Sequence, residues 1–118
     1  MKIIKSELEL IIKYIDECLE EYPLTKSEDF YTQRLAFKSV ALDLIQIGEH
    51  ANKVPKEFQI CHTEVSWSLI IAFRNIAVHS YEGLDENLVY EIVEKDVPKL
   101  REQICSLLLN KDFVPSLG

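Results

Sequence analysis

The sequence predicts an all-α protein, an up-and-down bundle of four to five helices. Three observations carry this. Apolar residues recur every three to four positions over long stretches, the period of a helix with one buried face. No segment alternates apolar and polar residues as a half-buried strand does. Only three Gly and four Pro occur in 118 residues, so turns are scarce and elements are few and long. The length fits one domain spanning residues 1–118, and a second subunit would add to what so small a chain can bury.

The first helix is expected over residues 2–21, with Ile4, Leu8, Ile11, Ile15 and Leu19 on its buried face. Tyr22-Pro23 ends it. Thr25-Lys26-Ser27-Glu28-Asp29 is a polar loop rich in N-cap residues, so the second helix starts near Ser27 or Asp29 and runs to about Lys53. Its apolar stripe reads Phe30, Phe37, Val40, Ala41, Leu44, Ile45, Gly48 and Ala51. A glycine inside a helix costs about 1 kcal/mol relative to alanine. Gly48 is therefore expected where a neighbouring helix approaches closely. Val54-Pro55 breaks this helix, and residues 54–65 read as a connector with at most a short helical turn.

Ser66 is a good N-cap for a third helix opened by Trp67, with Ile70, Ile71, Arg74 and Ala77 or Val78 on or near one stripe. Tyr81-Glu82-Gly83-Leu84-Asp85 reads as the next turn, with Gly83 as C-cap and Asp85 capping a fourth helix. That helix carries Leu88, Val89, Ile92, Val93, Val97, Leu100, Ile104, Leu107 and Leu108, and Pro98 is expected to kink it or divide it near Asp96. The tail 110–118 reads as loose.

Composition excludes several classes. With 47% hydrophobic and 28% charged residues the chain is globular rather than disordered. No apolar run approaches the ~20 residues that a membrane span needs. Met1-Lys2-Ile3-Ile4-Lys5 runs straight into Glu7 and Glu9, unlike a signal peptide. Cys18, Cys61 and Cys105 are widely spaced and odd in number, which fits thiols in a reducing cytoplasm. The net charge of −7 argues against a protein that coats nucleic acid. Residues 1–22 hold three Lys against six acids and residues 84–118 four Lys or Arg against seven. The middle is thus near neutral, where a local anion site is possible and a broad basic groove is not.

The chemistry-bearing side chains gather in Arg74-Asn75-Ile76-Ala77-Val78-His79-Ser80-Tyr81. Elsewhere little stands out. His50, His62 and His79 with Cys61 show no zinc-ligand spacing, and Asp43 and Glu49 lack the acidic partners of a di-metal bundle. No phosphate loop or nucleophile elbow is present. No cofactor is expected. Arg74 and His79 lie toward a helix C-terminus, where positive charge complements the dipole, so a structural role is an open alternative. Five residues on an ideal helix set two side chains about 140° apart. The two converge on one ligand only if the helix ends before His79 or if two copies face each other.

Arg74-x4-His79, extended by Tyr81, resembles the R-x4-H-x-Y motif of HepT-like toxins in the HEPN ribonuclease clan. The resemblance covers roughly residues 27–104: Ser27-Glu28-Asp29-Phe30, Ile47-Gly48-Glu49, Trp67, Phe73-Arg74-Asn75, Val78-His79-Ser80-Tyr81, Gly83-Leu84-Asp85 and Asp96-Val97-Pro98-Lys99-Leu100. Departures from the family pattern are Ala72 for Gly, His50 for Ala and Ser66 for Pro; His50 and Ala72 are expected to affect packing near the site.

The resemblance implies a homodimeric, metal-independent endoribonuclease toxin in a toxin–antitoxin pair, with Arg74 and His79 catalytic and Asn75 orienting the phosphate or the histidine. It implies RNA as substrate, with no DNA and no membrane partner. It also implies a cognate MNT-type nucleotidyltransferase antitoxin that transfers AMP from ATP to Tyr81. The chemistry suits these residue types. Histidine does acid–base work near neutral pH, and arginine holds phosphate oxygens with a permanently charged fork. A rival expectation is a non-catalytic nucleotide-binding subunit of a nucleotidyltransferase, and a third is a plain helical scaffold.

Overall fold

The computed structural model describes residues 2–81 and 86–109, with the backbone alone at 2, 3, 80 and 81. Among these residues the chain is helical apart from short connectors, with no strand. In order come α1 (Lys2–Glu21), a 3₁₀ turn (Tyr22–Lys26), α2 (Phe30–Asn52), α3 (Lys56–Cys61), α4 (Trp67–Tyr81), α5 (Glu86–Glu91), a π-helical turn (Ile92–Asp96) and α6 (Val97–Leu109). The expected turn at Tyr81–Asp85, with Gly83 and Asp85 as caps, and the tail 110–118 lie at or beyond the edges of the described residues.

α1 buries Ile4, Leu8, Ile11, Ile15 and Cys18, while Leu19 is half-buried. The chain leaves it through the single 3₁₀ turn that Pro23 enforces, and the buried Thr25 hydroxyl donates to the Tyr22 carbonyl at 2.6 Å. Asp29 then caps α2, its Oδ2 accepting from Thr32 N at 3.0 Å and Thr32 Oγ1 at 2.6 Å. These bonds favour the charged carboxylate and hold it below its ordinary range.

α2 is the central helix, packed on α1, on the 3₁₀ turn and on α4. Serving two neighbours widens its buried arc beyond a simple stripe. Ala36, Asp43 and Ile47 are buried as well, whereas Phe30 at the first turn is 64% exposed. The opposite face leaves Tyr31, Leu35 and Leu42 in the open.

The connector after α2 is more ordered than its sequence suggests. Pro55 begins α3, which buries Phe58 and Gln59. Gln59 Nε2 donates to the Val54 carbonyl at 2.9 Å, so the buried amide is satisfied and the end of α2 is tied down. At the far end, Pro98 has no N–H to give to Glu94. Helical winding persists through a π turn, in which Val97 N–H bonds back five residues to the Ile92 carbonyl. Ile92, Val93 and Val97 stay buried, so the α-helical parts divide near Asp96, as expected, without leaving the core.

Asp43 is the costly residue in this core. It is only 5% exposed, its Oδ2 lacks a hydrogen-bond partner, and it lies against Glu17 and Glu21 of α1. Burial, then the Glu17 contact, raises its pKa from 3.8 to about 7. Burial and the Asp43 charge together push the Cys18 thiol up to about 12, so it is an inert packing residue. The folded protein thus keeps a proton on Asp43 that the unfolded chain releases near pH 4. Stability is fully present below that pH and falls as pH rises toward 7. Asp43→Asn is expected to abolish most of this fall and to stabilise the protein at pH 7.5 by on the order of 2–4 kcal/mol. Urea midpoints of both proteins between pH 4 and 8 measure it.

Candidate functional site

α4 presents the whole 74–81 stretch, and its beginning is firmly anchored. Ile70 N–H bonds the Ser66 carbonyl at 3.1 Å, which marks Ser66 as the residue before the helix. The Trp67 ring is buried, donates from Nε1 to the His62 carbonyl at 2.8 Å and meets Phe58 edge-on. The buried face of α4 is Trp67, Ile70, Phe73 and Ala77, with Ile71 and Val78 half-buried. The expected stripe omitted Phe73, the largest of the fully buried side chains. It is buried because α4 packs against α5 as well as α2.

Gly48 fixes how α4 meets α2. A Cβ placed there would stand 3.1 Å from both the Cβ and the backbone nitrogen of Arg74, and 3.2 Å from the Ile70 carbonyl oxygen. The two backbones touch at this point, as the glycine inside the helix foretold. The contact brings the neighbouring residue, Glu49, to Arg74, whose Nε forms an ion pair with Glu49 Oε1. Both side chains are well exposed, 56% for Arg74 and 42% for Glu49. Arg74 therefore sits at the edge of the α2–α4 seam and faces solvent. The sequence pattern gave no sign of its acidic partner, because only tertiary register pairs residues 25 apart.

His79 is exposed and lies within the same unbroken helix. The possibility that α4 ends before His79 is thereby removed. Five residues of continuous helix hold Arg74 and His79 about 140° apart, so one chain does not aim both at a single phosphate. Asn75, also exposed, stands four residues before His79 and neighbours it on the outer face. Tyr81 closes the helix, two turns beyond Arg74. Its side chain lies outside the described residues.

The other candidate residues lie apart from this site. His50 turns toward α1, where its Nδ1 is 2.6 Å from Glu7 Oε2 and its ring stacks on Tyr14. It fastens α1 to α2 one residue after Glu49. His62 stacks on Phe58 and lies 3.4 Å from Glu64. Among the described residues no three of His, Cys, Asp and Glu come together as metal ligands. A cleft of about 80 Å³ between α4 and α6, floored by Leu69, Phe73 and Leu100 and edged by Asp96 and Lys99, includes neither Arg74 nor His79. No described helix is long and apolar enough to cross a membrane.

A family model described as ribonuclease HepT-like matches residues 11–107. Among curated proteins, one from Methanocaldococcus jannaschii, named a gamma-glutamylcyclotransferase and candidate RNase, is 34% identical over 94% of this chain. The chain spans 50% of that relative's length. A candidate RNase of Caldanaerobacter subterraneus subsp. tengcongensis is 29% identical over 92% of this chain and 96% of its own. A "Probable ribonuclease HepT" of Thermococcus cleftensis is 29% identical over 83% of each chain. No solved structure matches.

The Gly48 contact yields a test of how the site is built. Alanine there gains about 1 kcal/mol in helix propensity. Its methyl group, however, would press on backbone atoms of α4, which have little room to give. Gly48→Ala is expected to lose on the order of 1–3 kcal/mol through this overpacking, net of the propensity gain. Differential scanning calorimetry of the two proteins checks the sign.

Proposed function

The chain belongs to the HepT-like ribonuclease family, and from that premise we propose that it is the toxin of a toxin–antitoxin pair, a metal-independent endoribonuclease acting as a homodimer. The observation that carries this is Arg74. It stands on the surface, more than half exposed and paired at Nε with Glu49. A permanently charged fork in that state suits an RNA phosphate.

In this reaction His79 removes the proton from the RNA 2′-OH. The 2′-oxygen attacks the adjacent phosphorus and the bond to the 5′-oxygen breaks. The products are a 2′,3′-cyclic phosphate and a 5′-hydroxyl end, protonated by a second acid. Arg74 holds the phosphate oxygens as negative charge accumulates. Asn75, beside His79, orients the imidazole or the phosphate. Because one helix holds Arg74 and His79 apart, a two-fold dimer supplies the missing member of each pair, and its second His79 is the acid. The exposed Tyr31, Leu35 and Leu42 on α2 support such a dimer. They form an apolar row at spacings of four and seven, in line with Glu49 beside Arg74, and a protein–protein contact would cover them.

Tyr81 is proposed as the switch. A cognate MNT-type nucleotidyltransferase would attach AMP from ATP to its hydroxyl, releasing pyrophosphate. The adduct places negative charge and bulk at the end of the helix that offers Arg74, and so opposes a docking phosphate.

Folded Arg74→Ala and His79→Ala proteins are expected to lose at least 100-fold in cleavage of single-stranded RNA, while the wild type leaves cyclic-phosphate ends without added metal. Full activity in either variant would sink the assignment. Intact-mass analysis after incubation with the antitoxin and ATP should show AMP adducts on the wild type and none on Tyr81→Phe. Adducts on Tyr81→Phe place the modification elsewhere.

A further inference from the structure

We propose that Glu49 is a positioning residue for Arg74: it locks the guanidinium by its Nε edge and leaves both Nη groups to grip the scissile phosphate. The inference rests on the proposed ribonuclease function and names the part of the site that function leaves unassigned.

The bond geometry comes first. Arg74 Nε pairs with Glu49 Oε1. Arginine carries five N–H donors, one on Nε and two on each Nη. One carboxylate does not take up all five, so donors stay available for a hold on phosphate. The second observation is where the carboxylate comes from. Glu49 follows Gly48, where even a Cβ would stand 3.1 Å from Arg74, and lies three residues before α2 ends at Asn52. Its backbone is fixed relative to that of Arg74, so the acid acts as a rigid stop for a long, flexible side chain.

The third observation is exposure. With 42% and 56% of the two side chains open to water, the pair adds little to stability. Nor does it favour binding by charge, since an acid beside a phosphate-binding cation repels the phosphate. Orientation is what it offers. A guanidinium already aimed at its target loses less freedom when the reacting phosphate arrives.

These opposing effects predict a split in kinetics. Loss of the Glu49 charge eases RNA binding, while loss of the fixed fork slows the chemical step. With a single-stranded RNA oligonucleotide, Glu49→Ala is expected to lower kcat on the order of 10- to 100-fold, with KM unchanged or lower and Tm unchanged. Glu49→Gln recovers part of kcat, because its amide oxygen still accepts from Nε. In an Arg74→Ala background, Glu49→Ala has no further effect. A kcat untouched by Glu49→Ala overturns the proposal, as do losses that multiply in the double variant. A second readout needs no cleavage. The Arg74 Nε–H resonance in ¹⁵N NMR is expected to be shifted and slow to exchange in the wild type, and to move to the position of a free arginine in Glu49→Ala. An unmoved resonance also overturns the proposal. A wild type that cleaves no RNA yet shows this shift supports the positioning contact and overturns the ribonuclease function instead.

Discussion

The close passage of α2 and α4 at Gly48 is the constraint on which the candidate site depends. A Cβ at Gly48 would stand within 3.2 Å of atoms of Arg74 and Ile70, and this close approach sets the rotation of α4 against α2. Everything useful about Arg74 follows from that setting. Its Cβ and backbone nitrogen lie over the glycine, its side chain exits at the rim of the seam, and Glu49 meets it there. The anchors at the start of α4 hold the same register from the other end. Trp67 is pinned by the His62 carbonyl, and Gln59 ties α3 to the end of α2. A short connector with two well-satisfied polar side chains thereby transmits the position of α2 to the helix that carries the motif.

Local chemistry was legible in the sequence, and tertiary pairing was not. Asp29 as the cap of α2, Trp67 as the first residue of α4, Pro55 as a breaker and Gly48 as a point of close approach each follow from one residue and its neighbours. The 74–81 stretch stood out because it concentrates unusual side chains, and the helix does present it. Glu49 escaped notice, since an acid on a polar helix face looks like any solvated carboxylate until a second helix brings Arg74 to it. Asp43 escaped for the opposite reason. Its position reads as one polar residue among many, yet α2 is wedged between α1 and α4 and leaves it no water. Similarly, the π turn before Pro98 is a response to core packing. Ile92, Val93 and Val97 stay buried only if the chain keeps winding past the missing N–H.

α2 divides the molecule's labour by face. One arc carries the contacts to α1, including the His50–Glu7 pair and the buried Asp43. Another meets α4 at Gly48. The third is open and carries Tyr31, Leu35, Leu42 and Glu49, three apolar residues in line with the acid that meets Arg74. Apolar side chains on the same helix face as a cation's partner place any association through that face next to Arg74. The helix runs unbroken through the motif, and Asn75 and His79 are exposed on α4.

Charge distribution completes the picture. The acidic excess lies in the terminal segments, in α1 and in the stretch of α5 and the π turn that holds Glu86, Glu91, Glu94 and Asp96, whereas α6 carries Lys99 and Arg101 against Glu102 and is joined to α1 by Arg101 to Asp16 at 2.7 Å. The near-neutral middle forms α2, α3 and α4. A protein with net charge −7 therefore distributes its charge unevenly. Repulsion of a polyanion is strongest over α1 and over α5 with the π turn, and weaker over α2, α3 and α4, the helices around Arg74. The field is screened within about 8 Å at physiological salt, so it biases the direction of approach without holding the ligand. Holding falls to short-range contacts. This places the burden of recognition on a few donors in fixed geometry rather than on a basic groove, and it is the condition under which the orientation of a single guanidinium matters most.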